Sequence, residues 1–139
     1  MEIFYGEHGA VKYYTPHGEY VFTEGSGGML NTIVLHRTKP VDNNTVQLLH
    51  IFDSALISEK SDSRIDQKYI SPLISEGAEM MPLTAGIYEQ KVLPDKIREV
   101  FYLSEQAFGY EIKLREAMSD IWLDFLKISV TSETSKKQS

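Results

Sequence analysis

Glu2 and His36 are the pair in this chain whose types best suit polar chemistry inside a strand-rich segment. A carboxylate and an imidazole could share a divalent cation or contact a small polar ligand. They could also serve structurally, with the histidine hydrogen-bonded beside a half-filled interior. Cation sites in proteins generally need at least three side-chain ligands, with histidine favoured. Glu2 and His36 alone fall short of that number, so the set is incomplete and no metal is expected. His50 lies in the apolar run QLLHIFD; strand alternation puts it on one face with Phe52, and Leu49 with Ile51 on the other. It could meet His36 across a sheet, or sit as a satisfied core or rim histidine. His8 and His17 fall in turns, where solvation is expected.

Nucleophilic catalysis has no cysteine and no G-x-S-x-G elbow to work with. Gly25, Gly27 and Gly28 are followed by neither Lys-Ser/Thr nor a helix signal, so turn geometry explains them better than a phosphate cradle. Asp62 and Asp66 sit on a surface-helix pattern. No constellation argues for an enzyme, and no cofactor is expected.

Aromatic residues crowd the same region: Tyr5, Tyr13, Tyr14 and Tyr20, with Phe4 and Phe22. Rings stack on sugar faces and phenolic hydroxyls orient polar groups, so a small-molecule pocket is one reading. Plain packing of the sheet is the other. Alternation from Glu2 turns Phe4 inward and Ile3 and Tyr5 outward, while Val11 and Tyr13 share a face. The candidate ligand-binding set is Glu2, Phe4, Tyr13, Asn31 and His36.

Strands must position these groups. Residues 1–58 are rich in β-branched and aromatic side chains, broken at short intervals by Gly6-Glu7-His8-Gly9, Pro16-His17-Gly18, Gly25-Ser26-Gly27-Gly28 and Asp42-Asn43-Asn44. Short strands with regular turns predict a barrel or sandwich. Residues 59–93 form a connecting segment, with a short helix capped near Ser61-Asp62-Ser63 and limited by Pro72. Residues 75–90 read as loop with room for one short strand. Residues 94–128 predict a helical hairpin. Its first helix opens at Pro94-Asp95 and carries Ile97, Val100, Phe101, Ser104 and Phe108 on one face, with a break at Gly109. Its second places Tyr110, Leu114, Met118, Ile121, Phe125 and Ile128 in a helical stripe, widened by Trp122, Leu123 and Leu126. Residues 129–139 read as a polar linker or tail.

The net charge is -6, and the basic residues are scattered among acids. A chain of this balance lacks the basic patch that neutralises phosphates, so it is not expected to bind DNA by itself. There is no signal-peptide pattern at the N-terminus and no long apolar run, which together with the missing cysteines suits the cytoplasm.

Two spacings are similar to the cupin pattern: Glu2 followed by IFYGEH and Gly9, and Gly25 reaching His36 through GSGGMLNTIVLH. The longer blocks GGMLNTIVLHRTKPVDNN, LLHIFDSALIS and SRIDQKYISPLI, with FGYEIKLREAMSDIWLDFLKI at the end, resemble the sensor domains of AraC-like (arabinose-regulator type) bacterial transcription regulators. The resemblance spans roughly residues 1–128. It implies a mainly β fold with α: a partial cupin, jelly-roll-like β-barrel followed by the helical hairpin. It implies a small-molecule effector, with sugars as one candidate class, bound in the barrel. It implies a homodimer formed through the second helix, for which the wide stripe offers Leu114, Met118, Ile121, Trp122 and Phe125; burial within the chain is the alternative. DNA would be reached through a helix-turn-helix domain beyond Ser139, and the barrel would begin with a strand upstream of Glu2. Two rival functions are a small metal-dependent cupin enzyme, isomerase or dioxygenase, and a purely structural dimerisation module.

Overall fold

The structure, a computed structural model, describes residues 1–31, 34–76, 79–84 and 92–138, with 76 and 130–138 described by backbone alone. Expectations at Ile33, Gly77 and Gly86 lie outside these residues. The chain divides into two compact units, Met1–Phe52 with Glu79–Tyr102, and Asp53–Ala78 with Leu103–Ser139. This division does not follow the sequential segments 1–58, 59–93, 94–128 and 129–139 read from the sequence. The two helices of the expected hairpin fall in different units.

The first unit holds seven strands: β1 (Glu2–His8), β2 (Val11–Thr15), β3 (Gly18–Phe22), β4 (Gly27–Leu30), β5 (Arg37–Pro40), β6 (Val46–Ile51) and β7 (Met80–Leu83). They form two antiparallel sheets, ordered β6-β1-β4-β7 and β3-β2-β5. A closed barrel is not formed among the described residues. Closure needs every edge strand to find a partner, and β6, β7, β3 and β5 each end a sheet.

Phe4, Leu30 and Met80 of the first sheet pack with Val11, Tyr13 and Phe22 of the second. The Phe4 ring stacks on Tyr13 with centroids 4.7 Å apart and meets Phe22 edge-on at 4.7 Å. Alternation therefore places Phe4, Val11 and Tyr13 as expected. The opposite face of β1 is not open to solvent. Helix α1 (Val92–Val100) packs on that strand, and Ile3 is fully buried. Arg98 Nε donates to Glu7 Oε1 at 2.6 Å, and its guanidinium lies 6.0 Å from the Tyr5 ring centroid.

Of Gly25, Gly27 and Gly28, only Gly25 keeps the turn role, with φ at 82°. Gly28 lies within β4, where an added Cβ would come 2.7 Å from the Met81 carbonyl oxygen and 3.0 Å from Phe4 Cζ. Close approach of β1 and β7, and not a turn, requires glycine there.

The second unit is helical: α2 (Ala55–Ser58), a π-helical turn (Asp66–Ile70) running into α3 (Ser71–Glu76), and the long α4 (Tyr110–Gln138). Ser63 precedes the helical residues that lead into the π-helical segment, and its Oγ accepts from the Asp66 N–H at 3.1 Å. Pro72 does not end the helix as the sequence suggested. It sits in the first turn of α3, where its missing N–H and its ring are tolerated because the preceding turn is wound wider than an α-helix. Helix α1 stops at Val100, so the stripe running on to Phe108 is not helical, and Phe108 is 99% exposed. Gly109, at φ 77°, makes the expected break before α4. Helix α4 then continues through most of the segment whose composition reads as a polar tail.

Candidate functional site: a buried carboxylate between two sheets

Four of the polar and aromatic candidates meet in the first unit. Glu2 opens β1 and points to the same side as Phe4, toward β2. It is 4% exposed. Tyr13, on β2, donates its hydroxyl to Glu2 Oε2 across a long 3.4 Å, and accepts from Gln47 Nε2 at 2.9 Å. The His36 ring lies parallel to Tyr13, centroids 6.5 Å apart with 8° between planes. Its Nδ1 sits 2.9 Å from the Val34 carbonyl oxygen. A carbonyl only accepts, so Nδ1 carries the proton, and in the neutral ring Nε2 is left as an acceptor.

Asn31 is buried just past β4, where its N–H donates to the Glu79 carbonyl at 3.1 Å. Gln47 was missed by the sequence reading. Its signal was available: alternation through QLLHIFD puts Gln47 on the face of Leu49 and Ile51, and the register sets it opposite Gly6 of β1. His50 and His36 do not meet. His50 pairs in register with Ile3, so it faces the α1 side, with its ring 6.2 Å from Phe101 and 6.1 Å from Phe52. Burial holds the His50 imidazole below its ordinary pKa. His17 is exposed yet not free: its Nδ1 lies 2.6 Å from Glu79 Oε2.

The electrostatics of this cluster are set by burial. Desolvation pushes the Glu2 carboxyl above its ordinary value, while His36 and the Tyr13 hydrogen bond pull the other way without cancelling it. Desolvation first, and then the Glu2 charge, push the Tyr13 hydroxyl well above the ordinary phenol value, so it stays a donor. An aromatic wall beside an under-solvated carboxylate, an amide and an imidazole can accept hydroxyl donors from a polar ligand. Among the described residues no group of three His, Asp or Glu could hold a metal ion.

The raised Glu2 value carries a sign. A group whose pKa is higher folded than unfolded contributes stability below its unfolded value and loses it as pH rises through its folded value. For Glu2 that loss begins near the ordinary 4.5 and is complete above the raised value. Glu2→Gln, which keeps shape but cannot ionise, is expected to gain in melting temperature relative to the parent between acidic and neutral pH. Parallel thermal melts across that range check it; a pH-independent difference would rule out a strongly desolvated carboxylate.

The residues proposed for dimerisation lie in the second unit, on α4. Met118, Ile121, Trp122 and Phe125 are buried within the chain, and Leu114 is half-buried. The first four are covered in this conformation; among the described residues of the helix, Ile112 and Leu123 are the exposed large apolar positions. The sequence stripe marked burial because periodicity reports an apolar face, not what covers it.

No model of a known protein family matches the chain, and no curated protein matches it. No helix among the described residues is long and apolar enough to cross a membrane.

Proposed function

We propose that this chain is the ligand-sensing and dimerising part of a cytoplasmic transcription regulator of the AraC-like type, with a small polar molecule as effector and DNA contacted through a separate helix-turn-helix domain. The observation that carries this reading is the Glu2–Tyr13–Gln47 relay spanning the two facing sheets. A carboxylate buried at the expense of its own solvation is a poor device for stability, and such groups concentrate at functional sites. A sugar or sugar-like ligand would donate hydroxyls to Glu2 and His36 Nε2. Two antiparallel sheets facing across an aromatic core are compatible with a cupin-like jelly roll left incompletely closed. By bridging the sheets, the ligand would favour one arrangement over another, and it acts only through that difference in affinity. Dimerisation would use the exposed side of α4, at Ile112 and Leu123, in place of the buried stripe.

Thermal-shift screening of sugars and sugar acids, then of a wider metabolite set, tests this. A cognate ligand at a hundredfold excess over its Kd stabilises by about 2.7 kcal/mol. That shift should vanish in Glu2→Gln and shrink in Tyr13→Phe. Failure of every class to bind, or a hit indifferent to both substitutions, overturns the proposed site.

A further inference from the structure

The second unit contains a pocket separate from the proposed effector site, with one lining residue, Leu123, on the proposed dimerisation face. It is a partly open pocket of about 320 Å³, with an apolar wall of Ile57, Ile65, Tyr69, Trp122 and Leu123 and a cation, Arg115. That volume is at the small end of ligand pockets. It is too small for a partner helix and suits a compact organic molecule.

The polar groups around it differ in what they have left to give. Trp122 Nε1 donates to the Tyr69 carbonyl at 2.8 Å. Ser119 Oγ, also on the lining, donates to the Arg115 carbonyl at 2.7 Å. Arg115 is less committed. One terminal nitrogen donates to the Ile57 carbonyl at 3.1 Å, the other to Glu59 Oε1 at 3.2 Å, and the guanidinium carries further N–H groups. Glu59 is a weak holder of that position, because its side chain is 71% exposed and solvent competes for both charges. Its backbone is also strained: Glu59 closes α2 at φ 71°, a region that non-glycine residues seldom enter. A second cation lies beside the wall, with Lys68 Nζ 5.4 Å from the Tyr69 ring centroid.

We propose that this pocket binds a small apolar monocarboxylate, whose carboxylate takes the place of Glu59 on Arg115 while its apolar body packs against Trp122, Tyr69 and Ile65. Glu59 is then an internal stand-in for the ligand. The local cations select an anion although the chain as a whole carries a charge of -6. This site is independent of the Glu2 cluster; it shares Leu123 with the proposed dimerisation face of α4, but its anion selectivity does not rest on that reading.

Trp122 is the sole tryptophan of the sequence, so its fluorescence reports on the pocket alone. The probe series is phenylpropionate, phenylpropanol and phenylpropylamine, which share a body and differ in charge. A saturable emission change is expected for phenylpropionate in the low-millimolar range or below, and not for the alcohol or amine. Arg115→Met should weaken binding about tenfold or more, the loss of one charge-assisted contact. Glu59→Gln, an exposed change with little folding risk, should tighten it severalfold by removing the competitor. Equal response to all three probes overturns the carboxylate assignment. So does no saturable response in either the parent or Glu59→Gln. An emission change that follows protein concentration alone would assign the pocket to a second copy of the chain and overturn the proposal.

Discussion

Phe4→Ala is expected to destabilise the protein by about 3–5 kcal/mol, a large share of a typical domain's total stability. The ring is fully buried and touches both sheets: it stacks on Tyr13 and meets Phe22 edge-on, each with centroids 4.7 Å apart. It also fills the space that Gly28 leaves, since a Cβ there would crowd Phe4 Cζ. Truncation removes the transfer free energy of the ring and leaves a cavity that β1, held between β6 and β4, cannot collapse to fill. Urea denaturation with an unchanged m-value is the measurement, and Phe4→Leu should recover part of the loss. A loss under about 1 kcal/mol, ordinary for any point substitution, would mean the sheets do not meet through this ring.

The sheet residues were legible because strand alternation is local. Glu2, Phe4, Val11 and Tyr13 reached the expected side from the period alone. Alternation is silent on what covers the far side, and so Ile3 was read as facing out. The helix that covers it, α1, comes from residues 92–100, about ninety positions away in the chain and beyond any local pattern. Pairing of the sheets is equally non-local. The order β6-β1-β4-β7 brings together strands separated by helical sequence, and nothing in a turn signal says whether the edges close.

The candidate site was legible as residue types more than as geometry. A carboxylate, tyrosine and histidine on strand-like sequence suggested a polar cluster, and three of the named residues, Glu2, Tyr13 and His36, are neighbours. Gln47 entered only through the register between β1 and β6, which sequence does not give. The Arg115 pocket was invisible for a different reason. Its wall comes from three helical segments, each looking like an ordinary amphipathic surface by itself, and its cation stands among the scattered basic residues that seemed to have no common purpose.

Phe125 and Leu123 separate the two meanings of the α4 stripe. Both are apolar and two positions apart, yet Phe125 is 0% exposed and Leu123 45%. Phe125→Ala is expected to cost about 3–5 kcal/mol through a buried cavity. For a chain of this size that lowers the melting temperature on the order of 10 °C. Leu123→Gln keeps helix propensity and should stay within about 0.5 kcal/mol of the parent. The readout is a melt paired with light scattering across protein concentration. If the exposed side of α4 is a self-association surface, Leu123→Gln shifts mass toward monomer while the melt of the diluted chain is unchanged. Phe125→Ala lowers the melt at every concentration. Should Phe125→Ala instead leave the melt intact and only dissociate an oligomer, Phe125 would belong to an interface, and the stripe first read as a mating face would be one after all.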